Sequence, residues 1–301
     1  MTADPTGHRF RLQGPRSSAE IAQVGAALRA LTVDGVDLVP RYADDVPTPA
    51  ASGVVLVPWP NRIRDGKYTF GGAERQLAIS EPAFGNASHG LLRFGSYTAA
   101  EHTDDRLVLT ADVVPPTGYP FHLRTRVIFT LLTGGLHVEH VIENVGAATA
   151  PVALGIHPYL QIGGGPTEDL VIRSTGTSTL VLDDRKLPVD EVPVDAATDL
   201  REGRRLGDVA LDNAYRGFDR GDDGRTRHTL TAPDGRRVEL WQDAGFPWAQ
   251  VFTTDRYPGN PLAVAIEPMT APSNAFATGL DLIALGTGDE LRREWGVSYR
   301  G

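Results

Sequence analysis

Leu230-Thr231-Ala232-Pro233-Asp234-Gly235-Arg236-Arg237-Val238-Glu239-Leu240 decides the fold class of this chain. Proline presets φ, and the glycine of Asp-Gly supplies the positive φ that a tight hairpin turn needs. Beyond the turn, Val238 and Leu240 alternate with Arg237 and Glu239, the period-two pattern of a strand with one buried face. The segment therefore reads as a β-hairpin. The same signature recurs at Thr32-Val33-Asp34-Gly35-Val36-Asp37-Leu38 and at Tyr68-Thr69-Phe70-Gly71-Gly72. Between such turns, residues 106–113, 124–132, 136–142 and 170–173 are rich in Val, Leu, Ile and Thr and read as strands. With 33 glycines and 22 prolines punctuating 301 residues, long helices have little room. One stretch is ambiguous: Ile21, Val24, Leu28 and Leu31 have helical spacing, but Gly25 interrupts them and Asp34-Gly35 follows at hairpin distance. We read it as strand. Segments 183–205 and 218–227 read as long polar loops. The expectation is an all-β chain, sandwich or barrel, with no linker that would divide residues 1–301 into separate domains.

Composition limits the function. Lys and Arg number 29 against 38 Asp and Glu, a net charge of −9 spread along the chain. That balance argues against a nucleic-acid partner held through phosphates. No apolar run is long enough for a membrane span, and MTADPTGHRFRLQG lacks the apolar core of a secretion signal. The absence of cysteine excludes disulfides, iron–sulfur clusters and thiol nucleophiles, and with the rest suggests a cytoplasmic protein.

Eight histidines invite a search for metal spacing. The only close pair is His137-Val138-Glu139-His140. On a strand His137 and Glu139 point one way and His140 the other, so they do not share an ion. No metal and no cofactor is expected. There is no Gly-x-Ser-x-Gly elbow, and Gly163-Gly164-Gly165 lacks the strand–Lys–helix context of a phosphate loop.

Four segments embed polar residues in apolar or proline-rich surroundings. They are Leu56-Val57-Pro58-Trp59-Pro60-Asn61-Arg62-Ile63-Arg64-Asp65-Gly66, Asn86-Ala87-Ser88-His89-Gly90-Leu91-Leu92-Arg93, Ala153-Leu154-Gly155-Ile156-His157-Pro158-Tyr159-Leu160 and Ala263-Val264-Ala265-Ile266-Glu267-Pro268-Met269-Thr270-Ala271-Pro272-Ser273-Asn274-Ala275-Phe276. His157 and Glu267 each end an apolar run and precede a proline, which disfavours the helical conformation at both. A carboxylate behind Ala-Val-Ala-Ile is expected to be desolvated, with its pKa raised toward the range of a general base. A histidine is its natural acid partner. A structural histidine and a buried glutamate holding an arginine remain the alternative.

In this order the segments resemble the aldose 1-epimerase (galactose mutarotase) family. The resemblance rests on Asn61-Arg62-Ile63 with Gly66-Lys67-Tyr68, Asn86 through His89-Gly90, Gly155 to Tyr159, Leu211-Asp212-Asn213-Ala214-Tyr215, and Ile266-Glu267-Pro268. Pro58-Trp59-Pro60-Asn61-Arg62 and Glu267-Pro268-Met269-Thr270 are most similar to the divergent bacterial branch. The resemblance implies a large antiparallel β-sandwich with few short helices. It implies interconversion of the α and β anomers of a free aldohexose, with His157 as general acid and Glu267 as general base. Arg62, His89 and Asp212 match positions that hold the sugar. Sugar chemistry adds Asn61 as a hydroxyl ligand, and Trp59, Trp241 or Phe252 as the aromatic beneath the ring. Arg62, Arg64, Lys67 and Arg93 would suit an anionic substituent, as in a hexose-6-phosphate epimerase, although Arg64 and Lys67 read better as solvated hairpin charges. A non-catalytic carbohydrate-binding module is the other alternative. The expected partner is a small sugar, with the chain a monomer or homodimer.

Overall fold

A computed structural model describes residues 4–301, so the first three residues of the N-terminal stretch lie outside it. Two large antiparallel sheets carry the chain. The nine-stranded sheet runs Thr98–His102, Arg106–Val113, Leu123–Leu132, Gly135–Asn144, Glu290–Arg300, Arg237–Gln242, Thr226–Thr231, Val171–Arg173, Arg204–Arg205. The eight-stranded sheet runs Pro188–Pro193, Ser178–Leu182, Asp212–Arg216, Trp248–Thr254, Ala263–Met269, Gly155–Ile156, Val55–Leu56, with Tyr159–Leu160 also paired to Ala263–Met269. A four-stranded N-terminal sheet, Arg9–Gln13 to Val36–Asp37, adds to these. Among the described residues the one α-helix is the single turn Ala275–Thr278.

Alternation explains the layering. Val127, Phe129 and Leu131 of the nine-stranded sheet, and Val238 and Leu240, share one hydrophobic cluster with Val251, Val264, Ile266 and Ile156 of the eight-stranded sheet. Their sequence neighbours point the other way. On the eight-stranded sheet this second face carries Ala265 and Glu267, between one apolar patch of Tyr42, Tyr159 and Tyr257 and another of Leu180, Ala214, Trp248 and Met269. A sheet buried on its inner face thus still has a second face on which side chains can be collected.

All three hairpins form where the turn chemistry places them. The ambiguous stretch is strand: Ser17–Ala22 and Leu28–Val33 pair, and the chain between them breaks at Gly25 and Ala26, both at positive φ. Segment 183–205 departs from its reading as loop. Pro188–Pro193 pairs with Ser178–Leu182 as the edge of the eight-stranded sheet. It is wet on both faces, so it shows no apolar alternation, and its bounding prolines suit an edge. His137 and His140 do point to opposite faces. His140 is buried and accepts from the Trp295 indole N–H at 2.9 Å, while His137 pairs with Glu294 at 3.2 Å.

Candidate functional site

The strand register brings His157 and Glu267 together. Gly155 pairs with Met269 and Tyr159 with Ala265, so continuing the ladder across Pro158 sets His157 directly opposite Glu267. Directly opposed side chains on one face of an antiparallel pair are near neighbours. The His157 Nε2 lies 3.3 Å from Glu267 Oε1. Gln250 is the partner of Glu267 on the next strand, and one rung along Phe252 faces Asp212. Three strands, and the link between Gly155–Ile156 and Tyr159–Leu160 that carries His157, therefore present His157, Glu267, Gln250 and Asp212 on one face.

A separate two-stranded ribbon supplies the opposite wall. Arg62–Arg64 pairs with Asn86–Ser88, which brings Asn61, Arg62 and His89 side by side. His89 N–H donates to the Asn61 carbonyl at 2.8 Å. Asn61 and His89 both adopt the left-handed conformation, at φ 52° and 62°. For His89 this is a strained state, costing about 1–3 kcal/mol and sustained by the surrounding structure. The next residue, Gly90, is also at positive φ, and a Cβ there would collide with the Val57 carbonyl oxygen.

Between these walls lies a cleft of about 410 Å³. Asn61, Arg62, Glu81, His89, Arg93, His157, Asp212, Gln250, Phe252 and Glu267 all border it. Arg62 is held by both oxygens of Glu81, at 2.8 and 3.0 Å. Gln250 Nε2 donates to Asp212 at 2.8 Å, and Lys186 reaches the other Asp212 oxygen at 3.5 Å. The Tyr159 ring stacks on His157 with centroids 5.3 Å apart.

Burial governs the ionisation of this pair. Glu267 is 2% exposed; burial first, and then the nearby Asp212 carboxylate, push its carboxyl well above the ordinary range, with Arg62 opposing. His157 is lowered to about 4, mainly by burial and further by Arg93. His89 is lowered well below its ordinary value by burial, then by His157 and the two arginines. Burial thus disfavours the charged form of both groups of the facing pair. Passing a proton from the Glu267 carboxyl to His157 would create a carboxylate and an imidazolium without changing the net charge.

Two expected aromatic ligands lie elsewhere. Trp241 sits on the nine-stranded sheet. Val238 and Leu240 face the core there, so Trp241 must face outward, where it stacks with His137 and lies under Arg225 at 3.7 Å. Trp59 is buried against Phe276, centroids 5.4 Å apart, and does not border the cleft. Phe252 is the one of the three that does. The four cations also separate. Arg62 is paired with Glu81, Arg64 with Asp183 at 2.6 Å, and Lys67 is exposed on its hairpin. Arg93 is half-buried at the cleft and has no carboxylate partner among the described residues. Gln250, Glu81 and Tyr159 were not among the candidate ligands. Alternation in Trp248-Ala249-Gln250-Val251 gives Gln250 a face, but only the register puts that face beside Glu267. Among the described residues, no group of three or more His, Asp or Glu is arranged to hold a metal ion, and no helix is long and apolar enough to cross a membrane.

Comparison with known proteins gives the family and the fold. A family model for aldose 1-epimerase matches residues 8–298. The chain is 34% identical over 295 residues to the uncharacterized Escherichia coli (strain K12) protein YihR, covering 95% of this chain and 92% of that one. It is 29% identical over 239 residues to the galactose mutarotase of Mus musculus, covering 71% and 66%. In fold it superposes on a galactose mutarotase-like protein from Clostridium acetobutylicum with a TM-score of 0.86 at 16% identity, over 97% of this chain and 94% of the other. On this match across nearly its whole length, the chain belongs to the aldose 1-epimerase family.

Proposed function

We propose that this protein is an aldose 1-epimerase that interconverts the anomers of a free aldohexose by general acid–base ring opening, with no cofactor. The observation that carries the reading is the facing pair His157 and Glu267, 3.3 Å apart and opening on a cleft lined by hydroxyl-binding groups. The Glu267 carboxylate takes the proton of the C1 hydroxyl as the C1–O1 bond becomes a carbonyl. The C1–O5 bond breaks, its electron pair stays on the ring oxygen, and His157 Nε2–H protonates that oxygen. Rotation about C1–C2 presents the other carbonyl face. On closure O5 attacks C1 and returns its proton to His157, while Glu267 protonates O1. Each group carries a proton in both directions, which suits a pair holding one shared proton.

Asn61, Arg62, His89, Asp212 and Gln250 bind the sugar hydroxyls in this reading, and Phe252 contributes the apolar contact. Arg62→Ala is expected chiefly to raise KM, since its contact is equal in ground and transition states. Unchanged sugar affinity removes Arg62 from the site.

The test is anomer exchange followed by NMR, under conditions where spontaneous mutarotation is slow, with glucose, galactose and glucose 6-phosphate. Acceleration of any of them supports the reading. Sugar binding without acceleration overturns it in favour of a binding module. Arg93 favours a second reading, an anionic sugar as substrate. Burial disfavours the charge of the half-buried Arg93 guanidinium, the nearby Glu81 carboxylate offsets this only in part without forming an ion pair, and a phosphate or sulfonate on the sugar would neutralise it. A marked preference for glucose 6-phosphate that Arg93→Ala removes would select that reading.

A further inference from the structure

One turn touches both walls of the cleft. Ser178–Leu182 and Pro188–Pro193 form the edge hairpin of the eight-stranded sheet, and residues 183–187 are its tip. Asp183 shapes this tip: its Oδ1 accepts from the backbone N–H of Arg185 and of Leu187, both at 2.9 Å. Its Oδ2 accepts from Arg64 Nη2 at 2.6 Å, which fastens the tip to the ribbon. The next two side chains diverge. Lys186 reaches Asp212 on the sheet wall, and Arg185 bonds to the ribbon wall.

Arg185 gathers separate pieces of that wall. Its Nε donates to the Phe84 carbonyl at 2.9 Å, and its Nη2 donates to the Gly85 carbonyl at 3.0 Å and to Asp65 Oδ1 at 2.8 Å. Asn86 Nδ2 donates back to the Arg185 carbonyl at 3.0 Å. Phe84 and Gly85 lie in the turn that Glu81 opens. Phe84 N–H donates to the Glu81 carbonyl at 3.2 Å, and Glu81 and Asn86 exchange backbone hydrogen bonds at 3.0 and 3.2 Å. A Cβ at Gly85 would stand 3.0 Å from Arg185 Nη2, so the turn lies directly on the guanidinium. Glu81 in turn holds Arg62 with both carboxylate oxygens. Arg62 Nε and Nη2 are thereby engaged, while Nη1 meets only Asn61 Oδ1, at 3.3 Å, among the described residues.

We infer that Arg185 is a positioning residue for sugar binding: it fixes the turn 81–86, the turn fixes Glu81, and Glu81 orients Arg62 at the cleft. This rests on the epimerase reading of the cleft and adds the device that holds its arginine in place. A long side chain loses rotamer freedom when it binds a ligand, and a guanidinium held beforehand has already lost it. Glu81 can hold Arg62 in this way only if its own backbone is fixed. Arg185 supplies that from a hairpin belonging to the other wall. A planar guanidinium suits the task, because its fork reaches acceptors on two turns at once, whereas an ammonium is a single point of charge.

The experiment measures kcat and KM for anomer exchange, and Kd by calorimetry, on the sugar handled best among glucose, galactose and glucose 6-phosphate. It compares wild type, Arg62→Ala, Arg185→Ala, Arg185→Lys and the double variant of Arg62→Ala with Arg185→Ala. Arg185→Ala is expected to raise KM and Kd by roughly three- to ten-fold with kcat within about two-fold, the mark of lost sugar binding. Arg185→Lys should show the same split, and it carries the test if Arg185→Ala fails to fold. On top of Arg62→Ala, Arg185→Ala should add less than about two-fold, since it acts only through Arg62. A merely structural residue would add its full loss there. That full loss, a fall in kcat at unchanged KM, or an unchanged KM in both Arg185 variants overturns the positioning role and leaves the epimerase reading standing. A wild type that binds a sugar but exchanges none overturns the epimerase reading, while the same cycle in Kd still decides the role of Arg185. A wild type that neither binds nor exchanges any of the three overturns both.

Discussion

Glu267→Gln is expected to lower kcat by about 10²–10⁴-fold, the usual contribution of a general base, while making the protein more stable in alkali. The amide keeps the shape of the carboxyl but cannot accept the C1 hydroxyl proton. The stability effect follows from burial. Glu267 is enclosed beside Asp212, and its carboxyl titrates well above its unfolded value. A group with a raised folded pKa contributes stability that is fully present below the unfolded pKa and is lost as pH rises through the folded pKa. Glutamine has no such loss, so the Tm of the variant should gain on wild type as pH is raised from 5 to 9. Thermal melts across that range and anomer exchange at pH 7.5 read both effects. Turnover near wild type would remove Glu267 as the base. A Tm difference that shrinks as pH rises would contradict its burial as an ionising carboxyl.

His157→Ala should lose activity on the same scale, and here the pH dependence has the opposite sign. His157 is held neutral in the fold, its pKa lowered to about 4 by burial. Its contribution to stability is present above the unfolded value of about 6.5 and is lost as pH falls through about 4. The gap between these values corresponds to about 3 kcal/mol. His228, also lowered to about 4, and His140, lowered to about 3, add to the same acid loss. Wild type should therefore destabilise steeply between pH 6.5 and 4. His157→Ala removes packing against Tyr159, so it starts less stable, but the deficit should narrow in acid. The space left by the ring adjoins the cleft, so added imidazole should restore part of the lost turnover. Full activity in the variant would dismiss His157 as the acid, and a deficit that widens in acid would contradict its neutrality in the fold.

How far the site was legible in the sequence depended on whether a signal was local. The prolines after His157 and Glu267 marked extended chain at both positions, and the structure places Glu267 in a strand and His157 on the continuation of its ladder. Asn61, Arg62 and His89 stood in short motifs, and a ribbon brings them together at the cleft. Trp59 and Trp241 could not be separated from Phe252 by sequence, because an aromatic residue in an apolar run suits a core as well as a sugar platform. Which face each occupied was decided by strand parity and by the sheet to which the strand belonged. Gln250 and Glu81 had no motif, and only pairing gave them a role beside Glu267 and Arg62.

By itself the sequence determined an antiparallel β chain, its principal hairpins, and the local conformations of its candidate acid and base. Turn chemistry and side-chain alternation act over a few residues, so they can be read without partners. The tertiary structure decided that residues 110 positions apart face one another at 3.3 Å, that Arg93 borders the cleft with no ion-pair partner among the described residues, and that Phe94 borders it largely exposed. Those facts depend on register between strands distant in sequence. Register is set by the whole buried face, since a slip of one residue would turn Glu267 into the core and Ile266 into the cleft.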